Sequence, residues 1–346
     1  LRLAGIENPT INLAQEQIRE ALALQLGARV LLLPNINVGG NYRNHSGPVE
    51  ASDGQLVRVS DQSLYMGFGA GAIGAGTTLY PGMWLYAQLG DVVFEPQAAR
   101  ENVVGRRSTS VAVQNTVLGD VTAAYLRLAG SEARLEVLRV ADAEGAEVVR
   151  LTAAFAKAEQ GSPADANRSK SFDLLVERLR REAAGEVDIA SAHLCRLLNL
   201  DPTLHLRAKG AVIEPFRLIP VETPEDVLIA QALQARPELV TQAAVLREAQ
   251  VRVRQEKVRP FLPTLSVGVS SGAMRADSNL VAGGWTSALG RTDIDAMAVW
   301  NIQNLGFGDR ARVRGANAVV GQARAEYDAI TNRIRAEVVD ALAEAR

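Results

Sequence analysis

Gly69, Gly71 and Gly74 form a GxGxxG, the spacing at which backbone amides cradle a pyrophosphate where a helix begins. Thr77-Thr78-Leu79-Tyr80-Pro81-Gly82 follows, with Pro, Gly and β-formers where that helix would have to start. The run therefore reads as a close-packed Gly-rich strand and loop, with no cofactor. The other residues capable of chemistry stand apart from one another. Cys195 is the sole cysteine, which excludes an intrachain disulfide framework, and without a CxxC neighbour it reads as a buried structural thiol. His45, His193 and His205 are scattered where a metal site needs clustered ligands, so no metal is expected. No nucleophile and base, and no pair of acids, comes together along the chain, so it does not read as an enzyme.

Composition narrows the remaining classes. The 346 residues carry 37 Lys plus Arg against 39 Asp plus Glu, dispersed along the chain, and this near balance offers no electrostatic footprint for nucleic acid. No apolar run approaches the ~20 residues of a membrane-spanning helix. Barrel strands are not excluded by this, because they leave only an alternating signal over about ten residues.

The elements are organised by a repeat. Leu33-Pro34-Asn35-Ile36-Asn37-Val38-Gly39 returns as Leu262-Pro263-Thr264-Leu265-Ser266-Val267-Gly268, and Arg19-Glu20-Ala21 upstream returns as Arg247-Glu248-Ala249. Two copies of one unit are expected, residues 1–222 and a shorter 223–346. Each opens on an amphipathic helix, 9–33 and 224–259, that the corner proline ends. Beyond the corner the period becomes two. Ile36, Val38 and Tyr42 point one way and Asn35, Asn37, Asn41 and Arg43 the other. In the second copy Leu265, Val267 and Val269 alternate with Thr264, Ser266, Gly268 and Ser270, and Ile294, Ala296, Ala298, Trp300 and Ile302 define a returning face. Hairpins are expected over 35–90 and 264–305, with polar loops at 45–61 and 275–291. Pro34 and Pro263 should lie at one level, beside Trp84 and Trp300. Trp84, Tyr86 and Trp300 fit an interfacial aromatic girdle, or aromatics in an ordinary strand core.

The long helical pattern at 97–160 carries Val117, Val121, Ala124, Leu128, Leu135 and Leu138 at coiled-coil spacing. Gly161, Ser162, Pro163 and Asp165 make a tight tip, with Gly161 as the C-terminal cap. A descending helix, 163–199, follows, and helix 9–33 is expected to stack end to end with it, since their summed length nearly equals that of the long helix. A linker, 201–222, leads to Thr223-Pro224-Glu225-Asp226, read as a capping box. The last helix, 309–346, is capped by Asp309.

This ordered set resembles the TolC family of outer-membrane efflux channels over nearly the whole chain. The resemblance is carried by the duplicated corner, Asn8-Pro9, Arg236-Pro237-Glu238-Leu239, the tip, Leu197-Leu198-Asn199-Leu200-Asp201-Pro202, and Leu305-Gly306-Phe307-Gly308-Asp309-Arg310-Ala311-Arg312. It implies a mainly α protein with membrane β-hairpins. Long coiled-coil hairpins would be joined to four strands per protomer, which in a homotrimer close a twelve-stranded barrel. It also implies the outer membrane of a Gram-negative bacterium, with the helices in the periplasm. The partners implied are the lipid bilayer, a periplasmic adaptor or membrane fusion protein, and an inner-membrane RND or ABC-type pump. Asn35, Asn37, Asn41, Arg43, Thr264, Ser266 and Ser270 would line the lumen, and Gln160, Gly161, Ser162 and Asp165 would meet the adaptor. The same resemblance marks the sequence as a fragment without the N-terminal leader and the second helical hairpin. The alternative is a soluble periplasmic coiled-coil scaffold or adaptor, in which Ile36, Val38, Leu265 and Val267 would be buried against helices.

Overall fold

The computed structural model describes residues 8–72, 78–209, 220, 223–280 and 282–345. Helix α1 (Pro9–Arg29) leads to β1 (Asn35–Ile36), β2 (Val38–Glu50), β3 (Leu56–Ala72), β4 (Thr78–Pro81) and β5 (Met83–Gln88). Helices α2 (Leu89–Lys157) and α3 (Pro163–Leu197) follow, then α4 (Glu225–Ala235) and α5 (Pro237–Val258). A 3-10 turn, Arg259–Phe261, precedes β6 (Thr264–Ser278) and β7 (Leu289–Val299), and α6 (Phe307–Ala345) ends the described chain. Leu1 to Glu7, Gly74 and most of the expected linker lie outside the described residues.

Two compact units form, and each takes pieces from both repeats: residues 1–19, 106–241 and 330–346 in one, and 20–105 and 242–329 in the other. Sequence repeat and spatial unit are therefore different divisions of the chain.

In the helical unit the predicted seam is only partly a core. Val117, Val121, Ala124 and Leu128 of α2 are buried with Ile11 of α1 and with Ala190 and Leu194 of α3. Leu135 and Leu138 are half-buried, and beyond them the hairpin arms are held by polar pairs. Arg180 meets Asp142 at 2.9 Å, Arg134 meets Glu186 at 2.9 Å, and Thr152 and Ser169 share a 2.8 Å hydroxyl bond. Asn8 forms the joint between α1 and α3. Its Oδ1 accepts from Thr10 N at 2.9 Å, capping α1, while its Nδ2 donates to Leu197 O at 3.0 Å, satisfying a carbonyl in the last turn of α3. The two helices thus stack end to end, as their lengths require.

At the tip Ser162 caps α3 through Ala164 N at 3.2 Å, with Pro163 in the first turn. The residue that turns the chain at the end of α2 is not Gly161 but Glu159, left-handed at φ 57, with Gln160 N closing onto Phe155 O at 3.1 Å. Gly161 is needed for a different reason, since a Cβ there would come within 3.1 Å of the Phe155 side chain. The expected box at Thr223 is also replaced. Pro224 precedes the first turn without a side-chain cap, and Thr223 Oγ1 bonds back to Pro220 O at 2.9 Å.

The sheet is antiparallel, in the order β1-β5-β6-β3-β2, with β4 on β3 and β7 on β6. Six of its seven described segments occupy four lanes, and β4 pairs only with the end of β3. β1 and β2 share the first, β3 down to Phe68 and then β5 share the second, and β6 and β7 are the third and fourth. Of the two polar segments read as long loops, 45–61 is mostly strand, whereas 275–291 is strand only at its two ends. The β2–β3 register runs on to Glu50↔Leu56, leaving a turn in which Asp53 Oδ1 accepts from Gln55 N, and β6 and β7 reach Ser278 and Leu289. Beyond the apolar band the two faces mix polar residues with a few apolar ones, such as the Val49↔Val57 pair, while backbone pairing persists.

The corners do not lie level in the hydrogen-bonded register. Asn35 pairs with Trp84 and through it with Gly268, whereas Thr264 pairs with Gln88 and Val299. Each proline keeps its own tryptophan beside it, but the first corner stands four positions further along β6, about 13 Å at 3.3 Å per residue. α1 stops at Arg29, five residues before Pro34, while the 3-10 turn carries the second helix almost to Pro263.

A left-handed non-glycine residue costs roughly 1–2 kcal/mol. Glu159→Gly is therefore expected to stabilise the tip by about 1 kcal/mol, seen as slower amide exchange of Gln160 relative to the parent protein.

Candidate functional site

Strand alternation and the register sort the sheet into two faces. Ile36, Val38 and Tyr42 share one face with Leu64, Met66, Met83, Leu85, Leu265, Val267, Val269, Ile294 and Ala296. No helix covers this face at its apolar rows: Ile36 is 71% exposed, Val38 79% and Ile294 73%. Along β6 it stays uncharged from Leu265 to Ala273, about 26 Å of strand, or roughly 20 Å of height at a tilt of about 40°. Arg275 ends the band there, 6.0 Å from the ring centroid of Trp285, an aromatic at its distal edge that sequence reasoning passed over.

The opposite face carries Asn35, Asn37, Asn41, Arg43, Thr264, Ser266 and Ser270, all seven predicted polar positions, together with Arg291, Asp293 and Asp295. Three of the seven are engaged in structure, Ser266 by Trp84 as described below. Asn37 Nδ2 donates to Pro81 O at 2.7 Å, and Ser270 Oγ accepts from Gly82 N at 3.3 Å. Tyr65, 2% exposed, packs across the Gly67↔Gly272 pair, where a Cβ on Gly272 would meet its ring at 2.7 Å.

Two members of the proposed aromatic girdle fall on this polar face. Trp84 pairs with Gly268 and Tyr86 with Ser266, their rings 5.8 Å apart, and Trp84 Nε1 donates to Ser266 Oγ at 3.2 Å. They are one residue out of phase with Met83 and Leu85 and do not belong to the apolar band. Trp300 lies just beyond β7, 59% exposed.

Where strands hand over to helices, a polar network replaces the apolar contacts. Gln88, the last residue of β5, caps α2 by accepting from Asp91 N at 2.8 Å, and its Nε2 donates to Leu262 O at 3.2 Å. α2 thus starts at Leu89, eight residues before its predicted start, and Pro96 is accommodated inside it. Gln is a weak cap in isolation; it serves here because the second corner receives its amide. Asp91 accepts from Gln255 at 2.8 Å and from Arg259 at 2.7 Å, and Glu95 accepts from Gln255 at 3.0 Å and from Arg252. Glu256 pairs with Arg259 at 3.3 Å and with Arg312 at 3.0 Å. Arg312 in turn holds Asp309 at 2.5 Å, while the other Asp309 oxygen accepts from Gln303 N. The first-copy junction is thereby wired to the second.

The isolated polar residues have local partners. Cys195 is buried, with Sγ 3.4 Å from Leu204 O, His205 lies 3.3 Å from Asp188, and His193 contacts Arg196. Among the described residues no group of three His, Cys, Asp or Glu is arranged to hold a metal ion. No helix among them is long and apolar enough to cross a membrane.

The sheet thus has one bare apolar face, and long helices follow its strands in the chain. No protein-family model matches the chain, and no curated protein matches it. Solved structures do. A membrane protein from Pseudomonas aeruginosa superposes with a TM-score of 0.77 at 18% identity, over 99% of this chain and 74% of its own. The Campylobacter jejuni CmeC outer membrane channel gives 0.73 at 15%, over 95% of this chain and 66% of its own. The Vibrio cholerae outer membrane protein VceC gives 0.71 at 12%, over 99% and 77%. The chain has the outer-membrane-channel fold that its resemblance to the TolC family implies.

Glu95 has the clearest electrostatic signature of the junction. Burial alone would raise its pKa, but the hydrogen bonds from Gln255 and Arg252 and the charges of Arg252 and Arg259 together outweigh burial and hold it below the usual carboxylate value. A carboxylate with a depressed folded pKa contributes stability that is present above the unfolded pKa and is lost as pH falls through the folded one. Acidification through that window is expected to loosen the first turns of α2, read as faster amide exchange over residues 91–95. Glu95→Gln should flatten this pH dependence.

Proposed function

We propose that this chain is the outer-membrane channel of a tripartite efflux or type I secretion system in a Gram-negative bacterium. It would be a passive, water-filled exit duct that needs no catalytic group. The bare apolar face of the sheet carries this reading. A soluble scaffold would have buried Ile36, Val38, Leu265 and Val267 against helices; Ile36, Val38 and Val267 are exposed and Leu265 is half-buried. Solved channels of the same fold favour it further. The division into repeats 1–222 and 223–346 is retained as the evolutionary unit.

One chain cannot close this sheet. Among the described residues, the outer edges of β7 and β2 have no strand partner, and exposed backbone edges of 11 and 13 residues have nothing to bond in lipid. Three copies supply twelve lanes, an even number in the range of membrane barrels. Asn35, Asn41, Arg43, Thr264 and Ser266 then face the lumen, with Asn37 and Ser270 on the same wall. The hairpin tip at Gln160, Gly161, Ser162 and Asp165 meets a periplasmic adaptor, which links the duct to an inner-membrane RND or ABC-type pump.

Reconstituted trimers are expected to conduct ions across planar lipid bilayers; a folded, inserted trimer without conductance would refute the duct. The two faces are separable by adjacent substitutions on β7. Ala296→Arg places a charge on the lipid side, at a cost of about 2–4 kcal/mol near the bilayer midplane. It should abolish recovery of the trimer from outer membranes. Asp295→Arg, one residue away on the polar face, should leave recovery intact and alter ion selectivity. Equal recovery of both variants would contradict the assignment of faces.

A further inference from the structure

The second lane of the sheet is interrupted. Phe68 of β3 pairs with Ser271, Met83 of β5 pairs with Val269, and between them Gly82 N bonds to Ser270 Oγ. On β6, therefore, Phe68, Gly82 and Met83 occupy successive positions, as they would if residues 69–81 were absent. The described residues among them, 69–72 and 78–81, leave the lane as the paired legs of a hairpin, with Gly69↔Pro81, Ala70↔Tyr80 and Ala72↔Thr78 in register. Asn37 holds the neck from both sides. Its N donates to Gly82 O at 2.7 Å, its O accepts from Gly69 N at 2.9 Å, and its side chain donates to Pro81 O.

Three close approaches decide to which side the hairpin folds. A Cβ built on Gly268 would lie 3.0 Å from the Pro81 ring, and one on Gly39 would lie 3.2 Å from Ala70 Cβ. Both glycines stand on the polar face, between Ser266 and Ser270 and between Asn37 and Asn41, and the Asn37 side chain that grips Pro81 belongs to it too. The legs of the hairpin lie over the polar wall and not over the apolar band. Leu79 and Tyr80 are exposed on it, 60% and 59%.

We propose that this inserted hairpin is a fixed constriction of the duct. Its legs, Gly69 to Ala72 and Thr78 to Pro81, project from the wall into the lumen and set the size limit for cargo at this level of the barrel. The inference rests on the polar face being the lumen. In a twelve-lane barrel the interior is wider than its wall side chains can fill, so a hairpin from each copy removes passage area that no wall residue would. Cargo would meet the Tyr80 and Leu79 side chains of all three copies.

The register itself supplies the test. Excising residues 69–81 and joining Phe68 to Gly82 keeps every pairing of β3 and β5 with β6. Trimers of the excised and parent chains would be compared in planar bilayers for single-channel conductance in KCl and for the size of polyethylene glycol that still enters. Excision is expected to raise conductance about twofold or more and to shift the polymer cut-off upward. An unchanged conductance and cut-off in an inserted, conducting trimer would overturn the constriction. Tyr80→Cys in a Cys195→Ala background gives an answer that does not depend on the excised chain folding. A bulky methanethiosulfonate reagent should cut its current by about half while leaving the background protein unaffected, and an unchanged current would again overturn the constriction. Absence of conductance in the inserted parent protein would instead bring down the duct reading.

Discussion

The sheet must satisfy every backbone amide and carbonyl while presenting two unlike faces, and most of the structure follows from that requirement. A strand changes face at each residue, so one register shift would turn Ile36, Val38 and Val267 inward and Asn41, Arg43 and Ser266 outward. The ladders that hold the register are antiparallel throughout, and they run past the apolar band into segments that mix polar residues with a few apolar ones. Such segments gain little from burial. Their pairing keeps the band in phase and prevents the hairpin ends from fraying into unpaired backbone.

The handover from strand to helix raises the same problem in another form. A strand that ends leaves carbonyls, and a helix that begins leaves amides, without partners. Gln88 meets both needs with one side chain, accepting from Asp91 N and donating to Leu262 O. In the second copy Asp309 does not cap α6 as expected; it lies inside the first turn, which begins at Phe307, and reaches back to accept from Gln303 N in the preceding 3-10 turn. The carboxylates recruited nearby bring Arg252, Arg259 and Arg312, whose forked donors bind several acceptors at once. Isolated exposed ion pairs contribute little; here each arginine is shared between acids and tied to a backbone cap, so the pairs act as a network.

The helical unit shows how incomplete one chain is. Its main apolar cluster ends near Leu128, and beyond it Val176 and Ala183 are still buried, but Val137, Val140, Phe155, Phe172 and Ile189 stay exposed while Asp142, Arg180, Thr152 and Ser169 hold the arms together. Large apolar side chains left open along a paired helix hairpin are half of an interface. The outer edges of β2 and β7 are in the same condition, since among the described residues they too have no partner.

Much of this was legible in local sequence. The Leu-Pro corners, the alternation after them, the tip at Ser162-Pro163 and the summed lengths of α1 and α3 are short-range consequences of proline geometry, period two and helix rise. The seven polar positions fall on one face because alternation alone is enough to phase them. The remainder depended on contacts between distant segments. Trp84 and Tyr86 look like girdle aromatics by composition, and only their pairing with Gly268 and Ser266 puts them on the polar face. The glycines of residues 67–76 carry no sign of a hairpin folded over Asn37, Gly39 and Gly268. Gln88 is a poor cap until the second corner is beside it, and Glu159 turns left-handed only because the closing arms require it. The sequence by itself determined which elements form and which faces they carry, since those follow from torsions and periodicity within a few residues. Tertiary structure decided register, stagger and the path of the inserted hairpin, since those depend on hydrogen bonds between residues far apart in the chain.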